Sequence, residues 1–76
     1  MPWTSKIGAP IKLRNGRVIV TLRDAADLIL GLSESHQARP YWVYAAQLLI
    51  EAAEERSPIA DARNQFLRAL QGEGLI

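Results

Sequence analysis

Hydroxyl, carboxylate and imidazole groups follow one another in the segment Ser33-Glu34-Ser35-His36, which contains the single histidine of the chain. These are the groups of a nucleophile, a general base and an orienting acid. Catalytic triads, however, are assembled in space across a scaffold, and adjacent residues rarely align in this way. We therefore interpret His36 as a solvated histidine in a loop.

A second group that could do acid–base or metal chemistry is the acidic cluster of Glu51, Glu54 and Glu55. These residues fall at the end of a predicted helix, where acids usually form a solvated face, and no histidine accompanies them. The chain has no cysteine, which excludes thiolate chemistry and cysteine-based metal sites. Gly8 and Gly16 lack the spacing and the following helix of a phosphate-binding loop. We expect no enzymatic activity, no cofactor and no metal.

Positive charge is concentrated at the start of the chain. Residues 1–23 carry five lysines and arginines and no acid, whereas residues 24–76 carry four arginines and eight acids, for a net charge of +1. Such asymmetry bears on partners: an acidic ligand, an acidic protein surface or a second copy of the chain could each match it. The candidate binding residues are Lys12, Arg14, Arg17, Ile19 and Arg23.

The first four of these candidates lie on a predicted β-hairpin, and Arg23 follows it. Asn15-Gly16 between two apolar runs is a strong signal for a two-residue type I′ turn. That turn places Arg14 opposite Arg17, a like-charge pair that is unfavourable unless an anion lies nearby. Ile19 then shares the basic face, which favours a protein contact over a phosphate track. The opposite, apolar face consists of Ile11, Leu13, Val18, Val20 and Leu22.

Three helices are predicted to cover this apolar face, because an isolated pair of strands is only marginally stable. The first spans about 22–32 and begins with a capping box formed by Thr21 and Asp24. Residues 33–39 are predicted to form a loop, and Pro40 suits the first turn of the next helix. A last helix begins after the N-cap candidate Ser57 and ends near Gly72 and Gly74. Its predicted inward residues are Ile59, Ala62, Phe66, Ala69 and Leu70, and its outward residues are Arg63, Gln65 and Arg68.

The central helix, from Tyr41 to about Arg56, is the most apolar segment of the chain. One predicted apolar stripe consists of residues at helical spacing. A second consists of Val43 and Ile50, which lie one heptad apart in the sequence. Such a helix needs cover on two sides, and it is too short to span a bilayer. The first stripe consists of Trp42, Ala45, Ala46, Leu49 and Ala53.

The whole pattern resembles a family of small rhizobial and other alphaproteobacterial proteins known as domain of unknown function 982. The resemblance lies in Trp3, the strand Arg17-Val18-Ile19-Val20, the Asp24-Ala25-Ala26 helix start, the segment 42–46, and Ala62-Arg63 with Phe66, Ala69 and Gly74. It implies an α+β fold with a strand pair followed by three helices, and it implies no established activity. Family members often have a Trp-Pro pair after the first helix and a cysteine in the central helix. At these positions this chain has Gly31-Leu32-Ser33 and Leu48-Leu49, respectively.

We therefore expect one α+β domain over residues 1–76, a two-stranded antiparallel hairpin packed on three helices (ββααα), with an extended lead-in over residues 1–9. The expected function is a non-enzymatic interaction module that self-associates, as a homodimer, to cover the surplus apolar surface of the central helix. The alternative is a nucleic-acid-binding protein that uses the basic hairpin. The first residues lack the apolar segment of a secretory signal, so we expect a cytoplasmic protein without a membrane partner.

Overall fold

The computed structural model describes residues 2–76 and has the predicted α+β architecture. A 3-10 turn, Pro2–Thr4, is followed by strands β1 (Lys6–Lys12) and β2 (Val18–Thr21) and by helices α1 (Leu22–Leu30), α2 (Glu34–Gln37), α3 (Pro40–Ala53) and α4 (Ile59–Glu73). The hairpin packs on α1 and α4, and α3 packs between α1 and α4. Of the predicted lead-in, residue 1 lies outside the described part of the chain. The first strand begins at Lys6, whereas the sequence pattern predicts a strand only from Pro10.

The fold has four helices where the sequence predicts three. The segment predicted as a loop, 33–39, contains α2, whose N-cap Ser33 accepts a hydrogen bond from the His36 amide. Glu34 lies in the first turn, where the helix dipole favours an acid. A single turn is too short to show helical periodicity, which is why the sequence pattern indicates a polar loop here.

The predicted hairpin register is wrong by one residue. Ile11 pairs with Ile19 and Lys12 with Val18, so the register differs from that of a two-residue loop at Asn15-Gly16. A type I′ turn needs positive φ at both central residues. Here Gly16 has φ 91°, whereas among the described non-glycine residues only Glu55 has a positive φ. Asn15 instead uses its side-chain oxygen to accept a hydrogen bond from the Arg17 amide.

This shift turns the side chains of Val18 and Ile19 to the opposite face, because side chains alternate along a strand. Ile19 is fully buried in the core, and Val18 is exposed, the reverse of the prediction. Ile11 and Leu13 face the core as predicted. Arg14 no longer lies opposite Arg17, so the like-charge pair that would favour a bound anion is not formed.

The core is centred on the contact between α3 and α4. Trp42 and Phe66 are both fully buried, with ring centroids 5.9 Å apart in an edge-to-face arrangement. The predicted inner stripe of α3 is buried except for Ala46, which is half-buried, and the predicted inner face of α4 is buried except for the half-buried Ile59. Gln65 is predicted to point outward but is buried, and its side-chain amide donates to the Tyr41 carbonyl.

The junction between these two helices differs from the prediction. α3 ends at Ala53 rather than near Arg56, and Glu55 follows in the left-handed conformation with φ 61°. Ser57 is not the N-cap of α4. That position is held by Pro58, while the Ser57 hydroxyl donates to the Glu51 carboxylate at 2.8 Å. This hydrogen bond to a charged acceptor holds the Ser57 side chain against α3.

The capping box at the start of α1 is confirmed. Thr21 accepts from the Asp24 amide at 3.1 Å, and the Asp24 carboxylate accepts from the amides of Val20 and Thr21 at 2.9 and 3.1 Å. The hydrogen bond from the Val20 amide, then that from Thr21, lowers the pKa of Asp24 below its ordinary value. The carboxylate therefore joins the end of β2 to the first turn of α1.

Replacing Asp24 by alanine is expected to lower the free energy of unfolding by about 1 kcal/mol, since both strand amides lose their acceptor. Urea denaturation at neutral pH followed by circular dichroism measures this change. Asp24→Asn is the matched control, because its carbonyl oxygen can still accept one of the two bonds, and it should lose less. Equal stability of the alanine variant and the parent protein would show that the capping box contributes nothing.

Candidate interaction surface

The second apolar stripe of α3 is exposed to solvent. Val43 and Ile50 are 53% and 46% exposed, and no other element of the described chain covers them fully. The expectation that the central helix is covered on both sides is therefore wrong within a single copy. Helices α1, α2 and α4 and the 3-10 turn pack against other sides of α3 and leave this stripe in water.

Beside this stripe lies an apolar groove of about 470 Å³ between α1 and α3. Leu30, at the end of α1, is 72% exposed at its edge, and Trp3 of the 3-10 turn borders the groove with its ring partly exposed. We call the exposed residues Trp3, Leu30, Val43 and Ile50, together with this groove, the α1–α3 face.

The polar residues of the groove are the two charged side chains of α1. Arg23 and Asp27 lie one helical turn apart, with 3.9 Å between Nε and Oδ2, and both are largely exposed. The pair is therefore weak, and either charge can turn to a new partner at small cost. Arg23, predicted to bind a partner together with the cations of the hairpin, lies at the rim of an apolar surface.

The remaining predicted binding residues are only partly brought together. Lys12, Arg14 and Arg17 are exposed near the hairpin loop, and Lys6, at the opposite end of β1, is also exposed. Within residues 2–76, none of these four side chains forms an ion pair. Ile19 is excluded from any binding role on this surface because it is buried in the core.

A polar cluster that the sequence does not predict lies where α4 ends. The Glu73 carboxylate accepts hydrogen bonds from Arg39 at 2.8 Å, from the Tyr41 hydroxyl at 2.9 Å and from the Trp42 indole at 3.1 Å. His36 of α2 approaches it, with 3.5 Å between Nδ1 and Oε2. The Glu73 side chain is only 9% exposed. Its contacts link the end of α4 to α2 and to the start of α3.

The surroundings keep this carboxylate charged. Desolvation raises the pKa of Glu73, but hydrogen bonds from Tyr41 and Trp42 and the electrostatic effect of Arg39 and His36 outweigh it, so the net pKa is lowered. An ionised carboxylate whose Oε1 accepts three hydrogen bonds is a poor general acid. The Ser33 hydroxyl contacts Ser35 and the His36 amide and not the His36 ring, so Ser33 and Ser35 do not complete a triad.

Among the described residues, no three His, Asp or Glu side chains are grouped as metal ligands. Each described helix falls short of the length and apolar character that crossing a bilayer requires. The sequence could have indicated the Glu73 cluster only weakly. Glu73 lies 31 residues from Trp42, and a carboxylate at that separation carries no local signal for its partner.

Comparison with known proteins gives no relative: no family model, no curated protein and no solved structure matches the chain. The resemblance to domain of unknown function 982 is therefore left untested and stays a prediction.

Proposed function

We propose that this protein is a non-enzymatic interaction module that self-associates through the α1–α3 face. The observation that carries the proposal is the group of large apolar side chains left in water there, with Leu30, Val43 and Ile50 each about half exposed or more. Contiguous apolar surface rimmed by polar groups is typical of protein–protein interfaces. A homodimer is the commonest soluble assembly, and it needs no partner beyond the chain itself.

The surface has the anatomy of an interface on a small scale. Its centre is apolar, and Arg23 and Asp27 provide a charged rim of both signs. A standard interface buries about 800 Å² per partner, roughly one sixth of the 4635 Å² that the chain exposes. The groove alone is too small for this, so the exposed stripe of α3 must take part.

Sedimentation velocity at increasing concentration tests the proposal. We expect the sedimentation coefficient to rise from that of a monomer to that of a dimer by high micromolar concentration. A monomer throughout this range would overturn the proposal. The measurement should be repeated in raised salt, because an apolar interface persists when the interaction of exposed charges is screened.

Ile50→Glu is expected to weaken the dimer about tenfold or more, because a carboxylate would be buried against apolar side chains at a cost above about 1.4 kcal/mol. The matched control is Gln71→Glu, which introduces the same charge at an exposed position on α4. Circular dichroism should show both variants folded. Equal dissociation of both variants would indicate a general charge effect and not a contact at Ile50.

Nucleic-acid binding is the second candidate, and the observation favouring it is a set of four cations on the hairpin, none of which forms an ion pair within residues 2–76: Lys6, Lys12, Arg14 and Arg17. If all four contact phosphates, the logarithm of the binding constant for duplex DNA should fall against that of salt with a slope of roughly −3.6. Fluorescence anisotropy with a labelled mixed-sequence duplex measures this slope. Absence of salt-sensitive binding would end this alternative and leave the dimer unaffected.

A further inference from the structure

The exposed stripe of α3 has a branched side chain at each end, so it presents a similar surface when read from either end of the helix. Val43 and Ile50 lie seven residues apart, about 10 Å along the helix, and Ala46 lies between them on the same side. Both end residues are branched and about half exposed, while Ala46 is small and half-buried. Two such stripes can therefore interlock head to tail, and pairing residue 43 with residue 50 places Ala46 of each copy against the exposed Gln47 of the other at the crossing point.

Charge favours this direction over a parallel one. The C-terminal end of α3 carries Glu51, Glu54 and Glu55, and Arg56 is the nearest cation in sequence, in an ion pair with Glu54. In a parallel pair the two acidic ends lie side by side and repel each other. In an antiparallel pair centred beside Ala46 they lie roughly 20 Å apart, beyond the Debye length at physiological salt. The helix dipoles also favour the antiparallel arrangement.

The groove between α1 and α3 can accept a side chain from α3 of a second copy in such an antiparallel pair. Its lining includes Ala46, Leu49 and Ile50 on α3, with Leu30 at its edge. Antiparallel pairing centred beside Ala46 puts Val43 of a second copy next to Ile50. The same pairing brings Arg39 of that copy near Glu54, and within each chain these two side chains already form ion pairs with Glu73 and Arg56.

We infer that α3 pairs antiparallel with α3 of a second copy, so that Val43 of each copy packs against Ile50 of the other at the mouth of the groove. This inference rests on the proposed self-association and adds its direction and register. The occupant of the groove is thus a second copy of this chain, and the twofold axis passes beside Ala46.

Site-directed cross-linking tests the register directly, because the chain has no cysteine. Val43→Cys is mixed with an affinity-tagged Ile50→Cys protein, and the mixture is oxidised at a concentration where sedimentation shows a dimer. The disulfide between the two variants should form about tenfold faster than the disulfide of Val43→Cys with itself, because only the mixed pair is adjacent in the complex. Sedimentation of the reduced variants checks that the dimer survives both substitutions.

The outcomes separate the inference from the proposed function. Faster cross-linking of Val43→Cys with itself than with the Ile50→Cys protein would indicate a parallel pair and overturn the inference. Mixed cross-linking no faster than that of a control pair, Val43→Cys with Gln71→Cys on α4, would also overturn it, while a dimer in sedimentation would leave self-association standing. A monomer in sedimentation would remove both.

Discussion

Phe66→Ala is expected to lower the free energy of unfolding by about 3–5 kcal/mol, a larger loss than for Asp24→Ala or Glu73→Ala. Phe66 is fully buried and packs edge-to-face against Trp42 across the contact between α3 and α4. Alanine removes this aromatic pair and leaves a cavity that the surrounding helices can fill only in part. A domain of this length is stable by about 4–11 kcal/mol, so this loss is a large fraction of the total free energy of unfolding.

Urea denaturation followed by tryptophan fluorescence measures this loss, because Trp42 reports directly on the site. Phe66→Leu is the control, since it keeps most of the buried volume and should cost less than the alanine variant. A loss below about 1 kcal/mol for Phe66→Ala would mean that Phe66 is not at the centre of the core, contrary to its burial.

Glu73→Ala is expected to lower the free energy of unfolding by about 2–4 kcal/mol, because it leaves several hydrogen-bond donors without their acceptor. The most costly loss is at the Trp42 indole, which is fully buried and donates to this carboxylate. Arg39 also loses its ion pair with α4, although its exposure makes that loss smaller. Thermal and urea denaturation at neutral pH measure the change.

Glu73→Gln separates charge from hydrogen bonding, since the carboxamide oxygen can still accept from Trp42. It should therefore cost less than Glu73→Ala at neutral pH. A glutamine variant as unstable as the alanine variant would show that the charge, and not the acceptor, matters at this position. Equal stability of the alanine variant and the parent protein would show that the cluster contributes nothing to folding.

The pH dependence of stability should change in the same variants. The pKa of Glu73 is lowered in the folded protein, so its contribution is complete above the unfolded pKa and is lost as the pH falls through the folded pKa. Glu73→Gln should accordingly flatten the acid side of the stability curve. Asp24, whose pKa is also lowered, still titrates and should leave part of the acid dependence in place.

The fold class could be read from the sequence because its signals are local. Thr21 and Asp24 lie three residues apart, so one turn of chain defines the capping box and the start of α1. The apolar spacing of Phe66, Ala69 and Leu70 similarly identifies the buried side of α4. These features depend on backbone geometry within a few residues, which the sequence displays directly.

Which residues of β2 face the core could not be predicted in this way. A two-residue and a three-residue loop both suit Asn15-Gly16, and they differ by one residue of register. Both Val18 and Ile19 are apolar, so the sequence pattern does not show which of them faces the core. The packing of the hairpin on α1 and α4 selects Ile19 for the interior, and with this choice the predicted basic face loses its apolar member.

By itself, the sequence determined the hairpin, the three longer helices and one buried stripe on α3, since each follows from spacing along a short stretch of chain. Only the tertiary structure decided the strand register, the joining of Glu73 to Trp42, and the exposure of Val43 and Ile50. These three features depend on which elements distant in sequence pack together and on which sides of α3 those elements cover. Periodicity along one helix identifies its apolar sides, and it carries no information about which side the rest of the chain reaches.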